Sequence, residues 1–599
     1  MYHLTPLDWT WIIACLAVSF GVGAYHTRSA SRSLQDYFVA GRTAPWWILG
    51  TSMVATSFSV DTPLAVAHIV IKDGIAGNWM WWAVLPSGML GVFFFAHLWQ
   101  RSGCLTQAEL ATLRYGRGRA HALRIFNVVF YGLLQNCVTL GWVNLAMVKV
   151  FECCTSLEKG HAVAICFGLT VVYTLLGGVS GVMWTDFVQF ALMMGASVAV
   201  AGWCVHSAGG LDTLVQAVQT RLAAAPAGSA DVLSCVPAWG TTAAWAFAIY
   251  TTLFWIACTP TDCNGYAVQR LLCARDERHA VWGYLWFNVA HYVLRPWPWI
   301  LVGLVAIAAF DYGPGGGAAG DPEKAYLEVM LQRCPSWLIG PALASLLASY
   351  MSTINTHLNW GASFVINDLY VPYLNRGRST THYVWASRAA TVVVALGGVT
   401  ATLYMDRITS GWELFFSLAS GMGLVRIARW LWWRVTAWTE IGCMAATAGC
   451  TWAVDHFGSQ IAVLAPFVDY PFNLLIVVPA SVVGALIGTY AVHPEPQDVL
   501  RHFAQRVQPP GPGWRRVRGR TTATSGSALL RPAVCWALST TAMFAAMFGV
   551  GELLLGTTSQ GLALCAGAAV LAVATGLIYR GAGAAASPAG LSAELSTEC

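Results

Sequence analysis

Charge is what this sequence has least of. Lys, Arg, Asp and Glu together make up 10% of its 599 residues, against 57% apolar ones, and that scarcity excludes a string of soluble domains with solvated faces. The formal net charge is only +5, so the balance points to no nucleic-acid partner. The 17 cysteines include no CxxC pair and no His/Cys ligand spacing. Many lie inside apolar runs, where cysteine behaves as a small hydrophobe; Cys235 and Cys334, both expected in external loops, are the candidates for pairing. A Walker loop, a GxSxG elbow and an HExxH helix are all missing, and His291 and His357 are isolated in the sequence. No catalytic constellation results, so the chain does not read as an enzyme.

What remains is hydrocarbon. Apolar runs of spanning length number about fifteen, the first over residues 8–25, the second 46–71, the seventh 240–258, the ninth 338–367, the thirteenth 471–492 and the last two 532–555 and 559–579. The first lacks the basic lead and small-residue cleavage site of a signal peptide and is expected to stay as a helix. Arginine clusters follow the odd-numbered segments: Arg28, Arg32 and Arg42 after the first, Arg270, Arg275 and Arg278 after the seventh, Arg515, Arg516, Arg518 and Arg520 after the thirteenth. Basic residues mark the cytoplasmic side, which predicts a multi-pass protein of the plasma (inner) membrane with its N-terminus outside and its C-terminus inside. Twenty-nine tryptophans, many at segment ends, fit interfacial belts and make the lipid bilayer the expected partner; no obligate protein partner is evident. Residues 208–239 and 311–337 form long external loops. The link 493–531, rich in Pro, Gly and Arg, is expected to be mobile, and the tail after Arg580 disordered.

Two segments are interrupted. The second carries Thr56, Ser57, Ser59, Asp61, Thr62 and Pro63 in its middle, and the seventh ends on Pro260, Asp262, Asn264 and Gly265. Proline removes a donor and glycine lowers helical preference, so both helices should break within the membrane, where a break needs a cavity or a partner. Each interrupted segment opens a run of five spans, and the two runs enter the membrane from opposite sides. That pattern fits an inverted-repeat transporter, with chance kinks as the alternative. The ninth segment, LLASYMSTINTHLNWGASFVINDLY, gathers Ser349, Ser352, Thr353, Asn355, Thr356 and Asn359 at helical spacing. Such a stripe packs helices together or offers oxygen ligands to a hard monovalent cation.

Together, DYFVAGR (Asp36 to Arg42), the polar second segment, LLGGVSGVMWTDFVQF (Leu175 to Phe190), YAVQR (Tyr266 to Arg270), MSTINTHLN and NDLY (Asn367 to Tyr370) resemble the sodium:solute symporters, the family of sodium-coupled proline, sugar, sialic acid and pantothenate carriers. The resemblance covers segments two to eleven. It implies an all-α polytopic membrane protein with a leucine-transporter-like 5+5 inverted-repeat core. The implied division places an extra helix over 1–45, the two repeats over 46–207 and 240–434 with the external loop 208–239 between them, accessory helices over 435–492, the basic linker 493–531 and a hairpin with its tail over 532–599. The implied cofactor is Na+. Its ligands would be the carbonyls of Ala55, Phe58 and Ser349 and the hydroxyls of Ser352 and Thr353, with a possible second sodium on Asp186, Ser352, Asn355 and Thr356. Asp186 also reads as a helix cap at the start of its segment. Ser57 replaces an acidic residue of the proline carriers.

The solute-contact positions implied by the resemblance are Asn78, Trp81, Ala257 and Pro260, which differ from those of the sugar carriers, so a sugar is disfavoured. Ser57, Asp61, Thr62, Asp262 and Arg295 complete the expected solute site, and Arg295 is expected to pair with Asp61, with Asp262 or with a substrate carboxylate. The expected activity is sodium-coupled import, by alternating access, of a small polar organic solute, an amino acid or organic acid. A proton-driven carrier titrating Asp61 or Asp186 is the main alternative, a channel-like or sensory membrane module the lesser one.

Overall fold

The computed structural model describes residues 2, 4–30, 39–155, 157–176, 179–224, 231–258, 260–263, 265–310, 312, 320–518 and 527–580. Asn264, Arg520, the first three residues of DYFVAGR and the tail after Arg580 therefore lie outside the described residues. Within them every named element is helical, and the sole extended pairing is an isolated bridge between Ala44 and Ala274.

Among the described residues nine helices are long and apolar enough to span a bilayer, or ten if the bent pair Trp46–Ser57 and Asp61–Asp73 is one span. Fifteen expected spans are thus not reached by this measure. Pro6–Ser19, Thr242–Ala257 and Leu474–Tyr490 are shorter apolar helices, and the helices Lys159–Leu176 and Ala437–Phe457 stand where further spans were expected.

The first interruption is real and local. The helix Trp46–Ser57 ends where Phe58 takes φ −93° and ψ 75°; a new helix starts at Asp61, with Pro63 in its first turn, where its missing N–H leaves no bond unmade. The two halves are bent by 58°. The second interruption follows Trp255–Ala257: Cys258 is extended with ψ 150°, and Gly265, at φ 72°, turns the chain into the helix Tyr266–Leu272. A positive φ there costs glycine little and any other residue more.

Around the first broken helix pack Val179–Ser207, Glu277–Val289 and Ser336–Ser363, while its second half lies on Pro296–Ala309. The accessory helices Ala437–Phe457 and Leu474–Tyr490 meet through glycine: a Cβ on Gly442 would run into the Gly484 carbonyl, and one on Gly488 into that of Trp438. This close approach is how helices associate in lipid, where burying apolar surface gives no drive.

Several arginines at segment ends are held by partners. Arg101 pairs with Glu277, Arg124 with Asp368, Arg119 with Glu495, and Arg434 donates to the carbonyl of Val492. Toward the other end of the helical stretch Arg117–Cys154, Lys149 bridges Asp321 at 2.6 Å and Glu323 at 2.8 Å, and Lys324 holds Glu152.

Three loop expectations need correction. Residues 208–239 contain the helix Leu211–Ala223. Cys334 faces Cys204, with sulfurs 3.9 Å apart, rather than Cys235; spacing alone carries no distance. The link after the thirteenth segment is not loose over 493–518: Gln497–Val507 is an amphipathic helix that buries Leu500, Phe503 and Val507, and the Trp514 indole donates to the Trp430 carbonyl at 2.7 Å. Arg114 lies over the rings of both Phe503 and Trp514, so a cation against aromatic faces adds to the apolar burial. Trp514→Ala is expected to cost about 3–5 kcal/mol and to open Arg501 and Arg506 to trypsin, sites that resist cleavage in the wild type; limited digestion followed by mass spectrometry reads the difference.

Candidate functional site

The break after Ser57 frees backbone carbonyls inside the protein, and one of them finds the ninth-segment stripe. Thr353 Oγ1 donates to the carbonyl oxygen of Thr56 at 2.7 Å, which places this hydroxyl at the interruption, beside Ala55 and Phe58. Ser349 turns its hydroxyl back to the Leu346 carbonyl. Carbonyls and hydroxyls with no carboxylate are the ligand chemistry of a hard monovalent cation. Among the described residues no group of three His, Cys, Asp or Glu side chains is placed to hold another kind of metal.

Ser352 points elsewhere. Its hydroxyl donates to Asp186 Oδ1 at 2.6 Å, and Ser52 donates to the other carboxylate oxygen at 2.5 Å. Asp186 lies within the helix Val179–Ser207 and does not cap it. The guanidinium of Arg270, from YAVQR, stands 3.6 Å from Asp186 and donates to Ser52 and to Thr356, whose hydroxyl is 3.1 Å from that of Thr56. The expected second-sodium residues are therefore already gathered round a resident cation. Asn355 is the exception: its side-chain oxygen accepts from Asn359. Sequence offers no signal for this pairing, because Asp186 and Arg270 are far apart in the chain.

Between the two broken helices lies a cavity of about 270 Å³ lined by Ser57, Asp61, Thr62, Trp81, Pro260 and Arg295, with Trp142, Trp412, Phe415 and Phe416 in its wall. Three expected solute contacts are not in that wall. Asn78 is buried behind it, accepting from the Trp81 indole and donating to the Ile75 carbonyl. Ala257 packs its backbone against Gly423. Asp262 is fully buried, pairs with Arg426 and Arg429 and accepts from the Trp430 indole at 3.0 Å. Its carboxylate is thus taken up by protein groups outside the cavity wall.

Arg295 pairs with neither Asp61 nor Asp262. It donates to the Ser57 carbonyl at 2.5 Å and the His291 carbonyl at 3.2 Å, lies 2.9 Å from His291 Nε2, and is flanked by the rings of Trp81 and Trp299. His291 Nδ1 in turn sits 2.9 Å from Ser57 Oγ. Because a guanidinium only donates, Nε2 is the accepting nitrogen and Nδ1 carries the proton. His291 was not isolated after all; the signal was its spacing of four residues from Arg295, on one helix face. A π-helical turn at Ala290–Leu294 sets that spacing into the cavity.

Paired broken helices round a central cavity, one of them meeting a hydroxyl stripe at its break, define a leucine-transporter-like secondary transporter. The chain belongs to the sodium:solute symporter family, whose model matches residues 37–437, and sodium is the coupling ion of that class. It is 24% identical over 401 residues to the sodium/glucose cotransporter of Vibrio parahaemolyticus, covering 64% of this chain and 72% of that one. It is 23% identical to the sodium/proline symporter of Salmonella typhimurium, covering 68% and 80%. A solved structure of a Na+-coupled sialic acid symporter, substrate-bound and outward-open, matches with a TM-score of 0.65 at 17% identity, over 82% of this chain and 99% of that one. Its likeness is one of fold.

Arg270→Ala is expected to lower stability by about 3–5 kcal/mol, because it leaves Asp186 charged, buried and unpaired. Adding Asp186→Asn should recover most of the loss. Thermal unfolding of the wild type, the two single variants and the double variant measures that coupling.

Proposed function

We propose that this protein imports a small polar organic solute, an amino acid or organic acid rather than a sugar, by sodium-coupled alternating access. The observation that carries the reading is the hydroxyl of Thr353 seated on a carbonyl freed at the 58° bend. Sodium would be held there by the carbonyls of Ala55, Phe58 and Ser349 and the hydroxyl of Thr353, with Ser352 turning to it from Asp186. The ion supplies a positive charge that joins the broken helix to the stripe. This chain's own groups do the rest: the cavity between the broken helices receives the solute. Arg270 neutralises Asp186, which supports one sodium per cycle, since that carboxylate needs no second ion. With the arginine clusters in the cytoplasm and the N-terminus outside, the membrane potential adds about 2.3 kcal/mol per positive charge per 100 mV to inward movement. Coupling follows only if sodium and solute bind the outward-facing state better than the inward one.

Uptake into proteoliposomes across amino acids, organic acids and sugars, with and without a sodium gradient, tests the reading. One or more of the first two groups is expected to accumulate only with sodium. Uptake driven equally by a proton gradient in potassium would assign the coupling to Asp61 or Asp186 instead. Thr353→Ala is expected to raise the sodium concentration for half-maximal uptake about tenfold, equivalent to about 1.4 kcal/mol.

A further inference from the structure

Five buried polar atoms in the cavity wall have no hydrogen-bond partner among the described residues: Asp61 Oδ1, Ser59 Oγ, Gln135 Nε2, Tyr284 OH and Asn288 Oδ1. Only one of them bears charge. Asp61 is 3% exposed and opens the helix Asp61–Asp73, whose N-terminal end favours a carboxylate in its ionised form. Its Oδ2 accepts from the Trp412 indole at 3.0 Å. The Ser59 hydroxyl and the Asp61 backbone N–H also act on this carboxylate, but neither meets Oδ1 in hydrogen-bond geometry. A buried carboxylate oxygen left without a donor is costly, so the wall presents an acceptor that a ligand can satisfy.

The positive charge of the same cavity is not available in the same way. Each nitrogen of Arg295 is engaged, by the carbonyls of Ser57 and His291, by Ser57 Oγ and by the His291 ring, and its guanidinium carbon lies over the rings of Trp81 and Trp299 at 5.8 and 5.5 Å. A purely anionic solute would enter opposite an ionised carboxylate and meet no open cation. A neutral polyol would place hydroxyls against walls made of Trp142, Trp412, Phe415 and Phe416. A cationic nitrogen on an apolar body satisfies both features, since it pairs with the carboxylate and is attracted by aromatic faces.

We infer that the transported solute carries a cationic nitrogen, bound at Asp61 Oδ1 within this aromatic wall. The inference rests on the symport reading above and narrows it: of amino acids and organic acids, it keeps those with an ammonium group. It also ties solute to ion, because Asp61 begins the half-helix that follows the break at Phe58. Whatever binds Asp61 biases the same hinge.

The test uses the purified full chain in nanodiscs and three ring-bearing probes, phenylethylamine, phenylalanine and 3-phenylpropionate, followed by tryptophan fluorescence and thermal shift in sodium and in potassium. Phenylethylamine, phenylalanine or both are expected to bind, and 3-phenylpropionate not. Asp61→Asn should weaken that binding about a hundredfold, the order expected when one partner of a buried charge pair is lost, while the shift caused by sodium alone persists. Equal binding of 3-phenylpropionate, amine binding unchanged in Asp61→Asn, or no binding by any probe would overturn the inference. If Asp61→Asn does not fold, the wild type's choice between phenylethylamine and 3-phenylpropionate decides alone. Amine binding that depends on Asp61 but is the same in potassium supports the inference while sinking the sodium-coupled reading, so the two fail separately.

Discussion

A chain inside a membrane has no water with which to satisfy a broken helix. The structure turns on how that constraint is met between Ser57 and Asp61. Freed oxygens there are answered from the side by Thr353 and Arg295, which bond the carbonyls of Thr56 and Ser57 in turn. One answer is a neutral hydroxyl that an ion can share; the other is a permanent charge that props the backbone. The break is thus bonded by a charged group on its Ser57 carbonyl and by a neutral one on its Thr56 carbonyl.

Much of this was legible because the physics is local. Polar clusters, Pro63, Gly265 and the hydroxyl spacing of the ninth segment mark the two breaks and the stripe without any knowledge of packing. Charge pairs were not legible, because they depend on which distant segments meet. Asp262 sits in a sequence that reads as cavity lining, yet the chain after Pro260 turns it toward Arg426 and Arg429. Asp186 reads as a cap and is instead neutralised by Arg270 across helices. Hydropathy gave the positions of helices better than the number of full spans, since segments such as Thr242–Ala257 are shortened by their own interruptions.

The arrangement of charge follows one rule throughout. Every buried cation that the fold places near the cavity or near Asp262 is either paired with a carboxylate or laid against aromatic rings: Arg270 on Asp186, Arg429 on Asp262 and Glu440, Arg295 by Trp81 and Trp299. Arginine suits both roles because its planar, weakly hydrated head bonds at its edge and stacks on its face. Isolated charge in so apolar a chain would be prohibitive, and Asp61, left with one oxygen open, stands out against that background.

The helix Gln497–Val507 and Trp514 also redraw the boundary of the working unit. The family match stops at residue 437, but the Trp514 indole is bonded to the backbone of Trp430, the neighbour of Arg429, which pairs with Asp262. A version of the chain cut at the end of the matched region would lose the indole that bonds the backbone beside Arg429. The segment beyond the matched region is thus packed into the structure of the matched one.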